Sequence, residues 1–110
     1  MTDISGYHAH VYFDADRRDQ ARELCETAGK KFPLVVGRLH EKPVGPHPRG
    51  SCQLAFGADL LGAVLPWLIV NRRGLTVFVH AMTGDAIADH TDHVVWLGPS
   101  ETLDLAALSR

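Results

Sequence analysis

Polar and apolar positions alternate most cleanly over residues 7–13, Tyr7-His8-Ala9-His10-Val11-Tyr12-Phe13. Successive strand residues point to opposite faces, so His8, His10 and Tyr12 share one side and Tyr7, Ala9, Val11 and Phe13 the other. Asp14 or Asp16 is placed to cap a following helix, because a carboxylate accepts the orphan N–H groups of a first turn. In that helix Ala21, Leu24, Cys25 and Ala28 recur at i, i+3, i+4, i+7 as one apolar stripe. Gly29 is the expected stop. Pro33 opens a second strand over 34–40. Residues 41–50 carry Pro43, Pro46 and Pro48 and must form an irregular loop, since proline cannot donate to a ladder. A third strand is expected over 51–56, with Cys52, Leu54 and Phe56 on one side. Residues 59–71 read as a second helix, in which Pro66 predicts a kink or an early break. A fourth strand over 75–80 sets Leu75, Val77 and Val79 against Thr76, Phe78 and His80. Thr83-Gly84-Asp85 turns the chain, residues 93–97 make a short fifth strand, and 100–108 a terminal helix.

The order βαββαβ is the ferredoxin-like split arrangement, an α+β fold. It predicts one domain over residues 1–110: an antiparallel sheet, two helices on one face, the other face open, and a short extra C-terminal strand and helix. If Ala9, Val11, Phe13, Cys52, Leu54, Phe56, Leu75, Val77 and Val79 face the helices, then His8, His10 and His80 face the open side. His47 shares the parity of Ser51 and Gln53, although the proline loop interrupts the count.

Bulk properties narrow the function. With 110 residues and a formal net charge of −2, the chain has no basic footprint for nucleic acid. Arg17-Arg18 and Lys30-Lys31 read as solvated helix ends, the second pair complementing the helix dipole. The start lacks the charged and apolar regions of a signal peptide. The apolar run over 60–70 is too short for a membrane span and holds Gly62 and Pro66. A cytoplasmic protein without membrane or nucleic-acid partners is expected. Cys25 and Cys52 lack C-x-x-C spacing and read as reduced core thiols. An exposed sheet face on so small a domain is a liability, so a homodimer is expected.

Seven histidines carry the candidate chemistry. Imidazole is the commonest metal ligand and changes charge near neutral pH. His8 and His10 form an H-x-H pair about 7 Å apart along one strand face. His47, between two prolines, sits in stiff backbone, and His80 ends a β-branched strand where a buried polar group needs a partner. The bland alternatives are sheet-face histidines bonded to backbone or to a second subunit, and a loop residue at His47. His40 and His93 have no partner identifiable from the sequence. Asp89-His90 is either a carboxylate–imidazole pair that orients a ligand or a surface turn. Trp67 and Trp96 read as core or interface aromatics. No P-loop, Gly-x-Gly-x-x-Gly or Gly-x-Ser-x-Gly motif is present, which argues against nucleotide-dependent chemistry.

Four ordered segments resemble the DOPA 4,5-dioxygenase family: residues 7–13, Gly45-Pro46-His47-Pro48, Leu75-Thr76-Val77-Phe78-Val79-His80 with Thr83-Gly84-Asp85, and Asp89-His90 leading to Trp96-Leu97-Gly98. The resemblance covers about residues 6–98. Met82 departs from it, standing where a proline is expected soon after the strand-end histidine. The family includes enzymes that open the catechol ring of dihydroxyphenylalanine with a non-haem iron, so the resemblance implies an extradiol-type dioxygenase. Its expected partners are a small aromatic diol and O2, and its product a ring-opened muconic semialdehyde. It also implies that His8, His10, His47 and His80 form the metal and catalytic centre. The assignment carried forward is His10, His47 and His80 as ligands of Fe(II), with zinc possible in isolated protein, and His8 as acid/base. Nothing in the sequence separates His8 from His10 in those two roles. Tyr12, Phe78 and His90 are the expected substrate contacts. Facial-triad oxygenases use two histidines and a carboxylate; parity puts no carboxylate on the open face, which leaves Glu41 as the reserve ligand. Two other classes stay open: a non-catalytic ferredoxin-like dimer that binds a metal or ligand, and a zinc-dependent hydrolase or isomerase.

Overall fold

The structure is a computed structural model, and it describes residues 2–109. Five strands form one antiparallel sheet: β1 (Gly6–Phe13), β2 (Val35–Val36), β3 (Gly50–Gly57), β4 (Val77–Met82) and β5 (Val94–Leu97), in the order β2-β3-β1-β4-β5. Helix α1 (Arg18–Lys31) links β1 to β2, and α2 (Leu61–Asn71) links β3 to β4. The first four strands have the ferredoxin-like order, and β5 extends the sheet beyond β4. All nine residues assigned to the helix side lie in one apolar core with Ala21, Leu24, Cys25 and Ala28 of α1 and Val64 and Leu68 of α2. Cys25 and Cys52 are both free thiols in that core. No helix among the described residues is long and apolar enough to cross a membrane.

Several local expectations give way to tertiary constraints. The α1 helix runs past Gly29 because that glycine is a packing site: a Cβ there would come within 2.6 Å of Val36 Cγ2. The helix ends at Lys31, since Phe32 precedes proline and is extended at φ −124° and ψ 151°. Neither aspartate caps α1 with its side chain; a 3-10 turn (Ala15–Arg17) comes first, and the Asp14 carboxylate lies 3.3 Å from Arg49. Pro66 does not break α2. Gly62, whose carbonyl loses the missing N–H, and Pro66 itself are both exposed, so water can serve that carbonyl.

The second strand is shorter than its pattern. Val35 and Val36 pair with Ala55 and Leu54, which would bring Leu39 opposite Ser51, yet His40 bridges to Ser51. One extra residue therefore enters between Val36 and His40, a bulge that displaces the side chains there. The fourth strand lies two residues later than expected because its ladder to β1 runs on to Gly6 opposite Met82. A helix the pattern missed, α3 (Ala86–Thr91), follows it, capped by the Asp85 side chain accepting from the Ala88 N–H at 3.1 Å. The terminal helix over 100–108 shrinks to a 3-10 turn (Leu105–Ser109). The preceding segment is strapped across the proline loop instead: Arg49 donates to both Glu101 oxygens at 3.1 and 2.7 Å, and the Asp104 N–H to the Pro46 carbonyl at 2.9 Å.

That strap changes the second sheet face. It is not open: Tyr12 and Phe78 are fully buried, and His10, His47 and His80 are buried too. The proline loop and α3 cover it, so it is not free for the sheet-face pairing that the dimer expectation assumed. The most exposed large apolar side chains are Val70 and Ile69 of α2 and Val35 of the edge strand β2, with Ile87 of α3 and Val95 of β5 also exposed.

Candidate metal centre

Register assembles the histidines. In the β1–β4 ladder His8 is directly opposite His80, and His10, two residues along, is opposite Phe78. Side chains facing each other across such a pair have Cβ atoms about 5 Å apart, so the three rings must meet. Ring centroids are 5.3 Å apart for His8 and His80, 5.9 Å for His8 and His10, and 5.2 Å for His10 and His80. One nitrogen from each of His8, His10 and His80 lies within 4.8 Å of the others.

The tightest contact is between His10 Nε2 and His80 Nε2, at 3.1 Å. The His80 Nδ1 lies 3.0 Å from the Ala81 carbonyl, which can only accept, so Nδ1 carries the proton and Nε2 presents its lone pair to the cluster. Two nitrogens each about 2.1 Å from one cation and at right angles are about 3.0 Å apart, so the spacing fits cis ligands of a single metal. A carbonyl holding the far nitrogen of a ligand is the usual way such a ring is oriented.

Electrostatics keeps these rings neutral. Burial, and then the neighbouring His47 and His80, hold His10 well below the ordinary imidazole range. Burial lowers His47 to about 4 and His80 to about 4, partly opposed at His80 by the Ala81 carbonyl. Burial, then His90, also lowers His8, which is half-buried. Neutral imidazole is the form that ligates metal.

His47 reaches the cluster from the loop. Its ring centroid is 4.0 Å from that of His10, and its Nδ1 is 2.7 Å from the Tyr12 hydroxyl. The backbone turn from Val44 to His47 and the strap on Pro46 hold that loop down. His90 reaches it from α3: its Nδ1 donates to the Ala86 carbonyl at 2.7 Å, and its ring lies 4.2 Å from that of His80. Of the three expected substrate contacts only His90 is partly exposed. Tyr12 and Phe78 lie behind the imidazoles, and Phe78 stacks on Trp96 at 4.4 Å. Glu41, the reserve ligand, is exposed and paired with Arg18.

The Asp89 pairing differs from both sequence readings. Neighbours on a helix point apart, so Asp89 does not orient His90. Its buried carboxylate accepts from the Thr83 N–H at 2.7 Å, the Thr83 hydroxyl at 2.5 Å and His93 Nδ1 at 2.9 Å. Burial pushes its carboxyl up, but these bonds outweigh burial and hold it at about 2. The i, i+4 spacing of Asp89 and His93 was the available signal. The bonds from Thr83 to Asp89 anchor α3 to the end of β4 and so set His90 over His80.

A cavity of about 150 Å³ opens beside His10 and His47, with Ser51 and Gln53 in its wall. A larger one, about 420 Å³, includes His80 in its lining but is walled mainly by Tyr7, Leu61, Val79 and Val95. Those side chains face the helices, so the smaller cavity is the one that meets the imidazole cluster.

Comparison with known proteins agrees with this geometry. The model of the Dopa 4,5-dioxygenase family matches residues 7–107. An uncharacterized 21.2 kDa protein of Botryotinia fuckeliana is 34% identical over 94% of this chain, and DOPA 4,5-dioxygenase of Amanita muscaria is 31% identical over 97%. The chain spans 63% and 51% of the lengths of those two relatives. A crystal structure of a candidate dioxygenase from Nostoc punctiforme PCC 73102 is 46% identical, superposes with a TM-score of 0.94, and is matched over 96% of this chain and 92% of that one. This chain belongs to the Dopa 4,5-dioxygenase family.

Proposed function

We propose that this protein is a metal-dependent dioxygenase that opens the ring of a small aromatic diol, extradiol fashion, with O2 as co-substrate and Fe(II) as its metal. The observation that carries the reading is the 3.1 Å approach of His10 Nε2 and His80 Nε2 on a covered sheet face, with His8 completing a three-nitrogen set. When bound, the metal supplies free coordination positions for the diol oxygens and O2, and the electron transfer that lets O2 react with the ring.

Geometry favours His8 over His47 as the third ligand, because His8 belongs to the set within 4.8 Å. His47 then exchanges roles with His8. It is neutral at pH 7, steadied by Tyr12 at its Nδ1, and beside the 150 Å³ cavity. There it takes a proton from the diol and returns it later. His90 flanks the cluster from α3 as a substrate contact, while Tyr12 and Phe78 support the rings from behind. A homodimer in this reading would have to use a surface other than the covered histidine face, such as the exposed Ile69 and Val70 of α2, and light scattering checks it.

The test is anaerobic loading with Fe(II), then exposure of a panel of catechols to air, recording oxygen uptake and the yellow absorbance of a ring-opened product. Absence of oxygen uptake with every catechol rejects the reading. One observation favours a second: the set is three imidazoles without a carboxylate, which also suits catalytic zinc with water in the fourth position. Zinc retention with ester or lactone hydrolysis, and no oxygen uptake, would select that alternative.

A further inference from the structure

Two polar side chains on the covered sheet face have no hydrogen-bond partner, and both line the cavity beside His10 and His47. Gln53 is directly opposite His10 in the β1–β3 ladder, and Ser51 is opposite Tyr12, the residue bonded to His47. Side chains so paired share a face with Cβ atoms about 5 Å apart, so β3 delivers both to the imidazoles. Ser51 is only 3% exposed, yet its hydroxyl bonds to nothing among the described residues, and neither does the Gln53 carboxamide. No buried side-chain oxygen or nitrogen among those residues is sealed off without a partner. The Ser51 hydroxyl therefore keeps an opening, and that opening is the cavity it lines.

The backbone fixes both positions. His40 and Ser51 exchange two backbone bonds of 2.9 Å, and the Gly37 N–H donates to the Gln53 carbonyl at 2.7 Å. Gly37 is also in the cavity wall and leaves the space over Gln53 clear, since a Cβ there would come within 3.3 Å of the Gln53 Cβ. Buried polar groups normally have partners. A ligand that filled this cavity would bury the hydroxyl and the carboxamide unpaired unless it bonded to them. Both groups are uncharged, and both can donate to an oxygen.

We propose that Ser51 and Gln53 are substrate contacts that donate, from hydroxyl and side-chain amide, to the diol oxygen facing His47. The identity of that oxygen rests on the dioxygenase reading, whereas the two unpartnered donors in the cavity wall do not. As His47 takes the proton, the donors steady the charge left on the oxygen, and being held on a strand they need no rearrangement to do so.

The test uses Ser51→Ala and Gln53→Met, the second keeping chain length without the amide. Because neither group has a partner in the ligand-free protein, both variants should match the wild type in urea midpoint and in bound metal per chain. Anaerobic calorimetry on Fe(II)-loaded protein should show the catechol dissociation constant raised about tenfold in each, and oxygen uptake should show kcat/KM lowered by at least as much. Catechol affinity within twofold of wild type in either variant overturns the proposal, as does a wild type that binds no catechol. A lowered urea midpoint in both variants would assign the two groups a structural role instead and overturn it too. If affinity is lost in both variants but no protein consumes oxygen, the dioxygenase reading fails and the contacts stand. If all three consume oxygen with equal kcat/KM, the enzyme reading stands and the contacts fail.

Discussion

The Tyr12 hydroxyl lies 2.7 Å from His47 Nδ1 in a buried contact that ties the proline loop to the C-terminal end of β1. Burial, reinforced by Glu101, raises the Tyr12 phenol far above its ordinary value, so it stays protonated throughout the working range. Tyr12→Phe keeps the ring's packing but leaves His47 Nδ1 without its partner. An unsatisfied buried group costs about 1–3 kcal/mol. Urea unfolding should show a loss of that size. Turnover should fall by about tenfold or more as His47 loses its orientation, while bound metal per chain stays unchanged. Loss of metal in this variant would place His47 among the ligands instead.

The ligand set itself is open to a cycle of substitutions. His10→Ala and His80→Ala should each remove stoichiometric metal, and the double variant should be no less active than either single one, because residues acting as one unit are not additive. His8→Ala should weaken the metal less, raising its dissociation constant by about tenfold to a hundredfold, since it leaves intact the His10–His80 pair whose Nε2 atoms are 3.1 Å apart. Elemental analysis after dialysis measures the first outcome and competition with a chromogenic chelator the second. Metal binding in His8→Ala as tight as in wild type would move His8 back to an acid/base role.

How much of this was legible follows from where each constraint lives. Alternation placed Ala9, Val11 and Phe13 in the core and His8, His10 and His80 on the reverse face, because parity along a strand survives any tertiary arrangement. The sequence could not register β1 against β4, so the direct pairing of His8 with His80 was invisible until Gly6 was seen opposite Met82. Gly29 read as a stop because its close approach to Val36 is a tertiary fact. The covering of the histidine face was hidden for the same reason: Arg49 and Glu101 meet across the proline loop, and nothing local to either residue announces the other. Asp89-His90 reads from the sequence as either an orienting pair or a surface turn, whereas the turn that ends α3, with the His93 N–H on the Ala88 carbonyl, brings His93 to Asp89.

Asp89 provides a separate prediction about α3. Its carboxylate takes two bonds from Thr83 and one from His93, and hydrogen bonds to a charged group contribute about 1.5–3 kcal/mol. Asp89→Asn keeps the shape but loses the charge and presents an amide N–H₂ where acceptors are needed. A stability loss of about 2 kcal/mol is expected. Faster amide exchange confined to α3 and the Thr83 turn should accompany it. Because α3 carries His90 over His80, KM for a turned-over diol should rise while the metal stays bound. Uniformly faster exchange over the whole sheet would mean that Asp89 supports the core and not α3 alone.

The acid sensitivity of the metal-free protein has a definite sign. His47 and His80 titrate at about 4 when folded, against an ordinary value of 6.5, and burial also holds His10 well below that value. Below pH 6.5 the unfolded chain takes up protons at these positions that the folded chain refuses, so stability falls as pH drops. The loss begins near pH 6.5, accumulates towards pH 4, and the contribution of His47 and His80 levels off below their folded values. Asp89 adds a further loss that begins near its ordinary value of 3.8 and levels off towards pH 2, where its folded carboxylate is protonated too. Bound metal should shift the upper part of this transition to lower pH, because protons must then also displace the cation. Urea midpoints measured from pH 8 to pH 4, with and without chelator, test both statements. A midpoint in chelator that stays flat across pH 6.5 to 4 would mean that the three imidazoles are not buried together as neutral bases, and the case for a preformed metal centre would go with it.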